Sequence, residues 1–140
     1  MPITLFSGPL SQVDEHFVAQ AGLFADEHLK PGAERWEQTR QQPEKALRKA
    51  ISQFAGIRIP KKLGGHGGSA ATIARVYEEL AKVDIGFTSA LAVHNNVTIA
   101  ASLIENRSLR DPCLEKLMSG QAIGAFLLTE PGAGSDAAAI

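Results

Sequence analysis

Apolar residues recur every third or fourth position through most of this chain, and at Ala122 that rhythm stops. Val13, Phe17, Ala21 and Phe24 stand on one face of a helix over about 11–29, with Ser11 and Asp14 in an S-x-x-D start and Pro31-Gly32 beyond its end. After a polar link, Pro43 opens a second helix in which Leu47, Ile51 and Phe54 share a face and Gly56 serves as the C-terminal cap. Ser69 caps a third, with Ile73, Val76, Tyr77, Leu80 and Val83 inward and Glu78, Glu79 and Lys82 toward water. A fourth, roughly 87–105, carries Phe87, Leu91, Val97, Ile99, Leu103 and Ile104 around much of its circumference, which predicts packing on several sides. Asp111-Pro112 reads as the cap and first turn of a short fifth helix with Leu114, Leu117 and Met118, stopped by Gly120.

From Ala122 the run "AIGAFLLT" is short, apolar and bounded by turn signals, which predicts an extended strand over 122–129. The fold class is therefore all-α: a bundle of about five helices followed by one strand. A lone strand has no partner for its peptide groups, and a buried unpaired one costs ~1–3 kcal/mol. The expectation is that the chain stops just inside a further domain.

Composition narrows the function classes. Hydrophobic residues make up 44% of the 140 residues and charged residues 21%, which suits a soluble globular domain. Lys+Arg (14) and Asp+Glu (15) balance, and the densest basic patch is Lys61-Lys62 with Arg58, so no nucleic-acid partner is expected. Cys113 is the single cysteine, which excludes an internal disulfide and reads as a half-buried helix thiol. "MPITLFSGPL" lacks a signal or transit pattern, and the expected location is cytoplasmic, of bacterial type. Ile85 to Ile104 is interrupted by Asn95 and Asn96, so no membrane span is expected.

Three local features invite a chemical reading. "GGHGGS" lacks the Lys-Ser/Thr ending of a phosphate loop and reads as a flexible connector, with His66 solvated. His94, Asn95 and Asn96 lie on the buried helix, where polar groups find partners or face a cavity; structural satisfaction is favoured over a ligand-facing role. His16, His28, His66 and His94 show no metal-ligand spacing, so no metal is proposed. In "LLTEPGAGSD", Pro131-Gly132 fits the centre of a type II turn, Gly134 leaves the backbone bare for close approach, and Thr129 and Ser135 flank the turn with hydroxyls.

That decapeptide resembles the signature of the acyl-CoA dehydrogenase flavoproteins, with Phe126 in the aromatic position three residues before Thr129. "GIRIPKKLGGHGGS" is similar to the family's connector, and "EELAKVD" and "ALAVHNN" follow in the family's order; "IENRSLRDPC" departs from the usual Gly-Thr/Ser-x-x-Q-K run. The resemblance implies an N-terminal helical domain over 1–121 and the start of a middle β domain over 122–140. It implies FAD, an acyl-CoA substrate, electron-transferring flavoprotein as acceptor and a homotetramer. Carried over by position, it gives Thr129 a hydrogen bond to the flavin, sets Phe126 and Leu128 beside the ring, lets Gly134 admit it closely, and has Ser135 reach the acyl-CoA. Glu130 takes a turn-stabilising role, and the family's catalytic base has no match within 1–140, so this segment alone is expected to be inactive. The alternatives are an acyl-CoA oxidase or flavin monooxygenase on the same scaffold, or a non-catalytic helical interaction module.

Overall fold

The computed structural model describes residues 13–136 and residue 138. Six α-helices, α1 (Glu15–Phe24), α2 (Ala33–Thr39), α3 (Glu44–Phe54), α4 (Ala70–Ala81), α5 (Ile85–Ser102) and α6 (Arg107–Met118), build the molecule, and the described residues contain no strand. The structure thus has the expected helical class.

Polar side chains start the helices as the sequence reading anticipates in kind. The Ser69 hydroxyl accepts from the Thr72 amide, the Asp84 carboxylate from Phe87 and the Asp14 carboxylate from His16. Each satisfies an otherwise unpaired amide of a first turn, a contribution of about 1 kcal/mol. Ser11, the expected start of helix one, lies outside the described residues. Beyond α1 the chain continues through a π-helical turn, Ala25–Leu29, which keeps Ala25 and Leu29 in the core.

Several boundaries differ from expectation. The polar link contains a helix of its own, α2, which ends at Arg40 in the left-handed region (φ 53°). It buries no residue, so it left no apolar stripe to detect. The last helix begins at Arg107, capped by the Asn106 side chain, and Pro112 lies inside it rather than at its start. A cap followed by proline is a good start signal, but Asn106 offers one a turn and a half earlier. Pro43 stands at the cap position of α3, and α3 ends at Phe54, with Ala55 rather than Gly56 as the C-terminal cap.

The main core joins α1, α3, α4 and α5. Leu29, Ile51, Phe54, Val76, Leu80, Phe87 and Leu91 are all sealed from solvent. Phe24 meets Phe54 edge-on at 5.8 Å and stacks against Phe87 at 6.2 Å, within the range where aromatic pairs add stability beyond area burial. A second cluster, Ala101, Leu114 and Leu117, fixes α6 against α5. α5 therefore packs on α3, α4 and α6, but not all round. Ile85, Val93, Asn96 and Leu103 form an exposed stripe along its remaining side.

The glycine-rich loop is not the flexible connector its composition suggests. Gly65, His66, Gly67 and Gly68 donate backbone hydrogen bonds to Pro60, Gly56, Ile59 and Ile57 respectively. Gly64 and Gly67 have positive φ (85° and 65°), and a Cβ on Gly65 would overlap the Ile59 carbonyl. His66 is exposed, with its ring edge against Phe17 at 4.9 Å.

The predicted strand over 122–129 is not formed. A strand exists only through its ladder, and no described segment runs beside this one to supply it. After α6 the chain continues as an irregular segment, held at its beginning and released at its end.

Candidate active-site segment

Gly120 turns the chain out of α6 with φ 77°, and a Cβ there would lie 2.5 Å from the Arg48 carbonyl oxygen. The Arg48 guanidinium meets the turn with one Nη1, donating to Gly120 O (2.7 Å) and Gln121 O (2.9 Å). Its other face holds Glu44 through Nε and Nη2, both at 2.8 Å. The Ala122 amide then bonds back to Lys116 O.

His94 makes the next attachment. The Gly124 N–H points at His94 Nδ1 at 2.9 Å, so Nδ1 must be the acceptor and the proton of the neutral ring sits on Nε2. Nε2 donates to Leu117 O at 3.1 Å, with the Thr98 hydroxyl oxygen 3.3 Å away and donating to the His94 carbonyl. Burial holds the imidazole below its usual pKa, with the Leu117 carbonyl opposing. His94 is thus a satisfied structural histidine. Asn95 donates to the Tyr77 hydroxyl at 2.8 Å, and Asn96 is exposed. Burial raises the Tyr77 pKa, against the Asn95 hydrogen bond and the Arg58 charge. The polar cluster read from sequence therefore points in different directions rather than into one cavity.

Beyond Gly124 the side chains open outward. Phe126 (53% exposed), Leu127 (102%) and Leu128 (56%) have no place in either core cluster. Thr129 and Ser135 are exposed, and neither hydroxyl bonds to a described residue. The turn over 130–133 is closed by Glu130 N to Ala133 O (2.8 Å) and Ala133 N to Glu130 O (3.2 Å). It is not the expected type II turn: Gly132 lacks the positive φ that type requires, and a Cβ there would meet open space. A Cβ on Gly134 would touch the Thr129 methyl at 3.4 Å, so Thr129 and Gly134 are neighbours across the turn. Of the five residues expected to contact flavin or acyl-CoA, these two are brought together; Phe126, Leu128 and Ser135 stand separately on the exposed surface.

Sequence reasoning missed Arg48 and weighed His94 only between structural satisfaction and a ligand-facing role. Arg48 carries no local signal, since its carbonyl partners lie 72 and 73 residues away.

Residues 11–121 match the acyl-CoA dehydrogenase N-terminal domain. The chain belongs to the acyl-CoA dehydrogenase family. It is 32% identical over 132 residues to the mitochondrial isobutyryl-CoA dehydrogenase of Dictyostelium discoideum, covering 94% of this chain and 32% of that protein. It is 33% identical over 132 residues to the acryloyl-CoA reductase (NADH) of Anaerotignum propionicum, covering 94% and 34%. The solved structure of butyryl-CoA dehydrogenase from Megasphaera elsdenii superposes with a TM-score of 0.80 at 27% identity, over 94% of this chain and 36% of that one. The chain spans about a third of the length of these relatives. Among its described residues, no helix is long and apolar enough to cross a membrane.

Proposed function

We propose that this chain is the N-terminal part of an FAD-dependent acyl-CoA dehydrogenase that oxidises the α,β-bond of an acyl-CoA thioester to the enoyl-CoA. In this reading residues 1–121 form the helical domain and 122–140 open the middle β domain. Electron-transferring flavoprotein is the acceptor, and the family-length protein assembles as a tetramer. The observation that carries the reading is the segment 126–135: apolar side chains and two uncommitted hydroxyls, presented outward from a start bonded to three helices.

The residues present fit a flavin. Phe126 and Leu128 offer exposed apolar surface to a ring, the Thr129 hydroxyl is free to hydrogen-bond a ring edge, and bare Gly134 leaves the backbone approachable. Bound flavin supplies the hydride acceptor of the reaction. This chain's contribution is to bind and orient: Thr129 by a hydrogen bond to the ring, Ser135 by reaching the acyl-CoA, and the stripe Ile85, Val93 and Leu103 of α5 by giving the following domain an apolar surface to cover. The α-proton is taken by a carboxylate from outside residues 1–140.

In a family-length enzyme carrying this segment, Thr129→Ala is expected to weaken FAD retention or shift the flavin spectrum, and Ser135→Ala to raise KM for acyl-CoA. Unchanged spectra and kinetics in both variants remove these residues from the site. The 140-residue chain alone should neither bind FAD tightly nor turn over acyl-CoA, because general acid-base assistance worth ~10²–10⁴-fold is absent along with most of the flavin contacts. Micromolar calorimetric binding together with dye reduction would contradict that. Likeness to an acryloyl-CoA reductase supports a second reading, reduction of an enoyl-CoA; dye-linked oxidation of acyl-CoA against NADH-dependent reduction of enoyl-CoA separates the two.

A further inference from the structure

We infer that His94 and Arg48 are positioning residues, forming a two-point clamp that sets where the segment 126–135 stands on the helical domain. The inference rests on the proposed flavin role of that segment. Three helices grip its beginning: α3 through Arg48 to Gly120 and Gln121, α6 through Lys116 O to Ala122, and α5 through His94 to Gly124. Past Gly124, no residue through Thr129 makes a hydrogen bond to the described residues. Gly124 is therefore the last anchored peptide, two residues before Phe126 and five before Thr129.

Both anchors are built rather than incidental. The His94 ring is fully buried, and each nitrogen meets a backbone group, one as acceptor and one as donor. That pairing needs the neutral Nε2–H tautomer, and the lowered pKa keeps the ring in it. Gly124 lies so close to α5 that a Cβ would come within 2.7 Å of Val97 Cγ1. Arg48 uses its planar fork twice, toward Glu44 and toward the turn, a geometry a lysine ammonium does not reproduce. A segment with no ladder of its own would otherwise sample many backbone states. Groups that orient a cofactor must hold within about 0.5 Å, so the clamp provides for the flavin contacts what packing provides in a core.

The test has two arms. In the 140-residue chain, NMR should show a through-hydrogen-bond coupling between the Gly124 nitrogen and His94 Nδ1, and slow exchange of the Gly124 amide. His94→Leu should speed that exchange about tenfold or more while the Leu91 amide in α5 keeps its protection, and His94→Gln, which retains an acceptor and a donor, should restore part of it. Arg48→Met, at a half-exposed site, should loosen Gly120 to Ala122 without unfolding the bundle, and it decides the matter should His94→Leu fail to fold. Absence of the coupling with an unprotected Gly124 amide overturns the inference. In a family-length enzyme, His94→Leu should release FAD about tenfold more readily, with His94→Gln intermediate. If Thr129→Ala alters the flavin and His94→Leu does not, the positioning role fails and the proposed function stands. If Gly124 is protected as described but Thr129→Ala leaves the flavin untouched, the flavin reading of the segment fails and the anchor remains as local structure only.

Discussion

The helical bundle and the segment after it treat the same kind of residue in opposite ways. Leu29 in the π-helical turn and Leu91 in α5 are wholly buried, whereas Leu127 is wholly exposed between two half-exposed neighbours. In the bundle, periodicity assigns most apolar residues to a buried face, the stripe along α5 excepted. In the segment, it is the backbone near Gly120 to Gly124 that is held, while the side chains are left for something else to cover. The bundle's residues are chosen for stability and the segment's for contact, so the two should respond differently to mutation.

The largest contrast should come from truncating an aromatic in each region. Phe54→Ala opens the Phe24–Phe54–Phe87 cluster and should cost roughly 3–5 kcal/mol of unfolding free energy in a urea titration. Phe126→Ala should stay within about 0.5 kcal/mol, the range of exposed positions; a core-sized loss there would mean the segment is packed after all. Next is Gly120→Ala, which combines a left-handed φ with a clash on Arg48 O, for a loss of about 1–3 kcal/mol at the junction itself.

A smaller effect comes from His94. Its folded pKa lies below the unfolded value of about 6.5, so above that pH both states are neutral and its full contribution is present. As pH falls below about 6.5 the unfolded chain takes up the proton first, and stability declines until the folded ring also protonates. Urea melts across that window should show the decline, and His94→Gln should flatten it. The smallest effect belongs to Gly132→Ala, expected to be near neutral because its φ is not left-handed and its surroundings are open. A loss above about 1 kcal/mol would restore the type II turn.

How much of the fold and of the site is legible in the sequence depends on where each signal lies. Phe17, Ala21 and Phe24, or Ile73, Val76 and Leu80, announce a buried face within one local window, and the bundle can be read from them. α2 cannot, because Glu34, Gln38 and Thr39 keep it by local hydrogen bonds while only Trp36 packs, half-buried, against the core. Pro112 misleads by a rule that holds on average but yields where Asn106 caps first. The run 122–129 has strand composition, yet a ladder is a property of two segments. The decapeptide carries a resemblance to the family's signature within ten residues, while the clamp behind it joins positions 30 and 72 apart, a distance no local pattern spans.

The folded-back glycine loop has a consequence for how this protein would be cut. A protease seeking a loose hinge would be drawn by composition to residues 64–68, yet opening that stretch breaks five backbone hydrogen bonds and bares Ile57 and Ile59. The bond after Leu127 has neither obstacle. Limited digestion with an enzyme that favours large apolar residues should therefore nick the chain within its signature decapeptide and leave the glycine-rich loop whole.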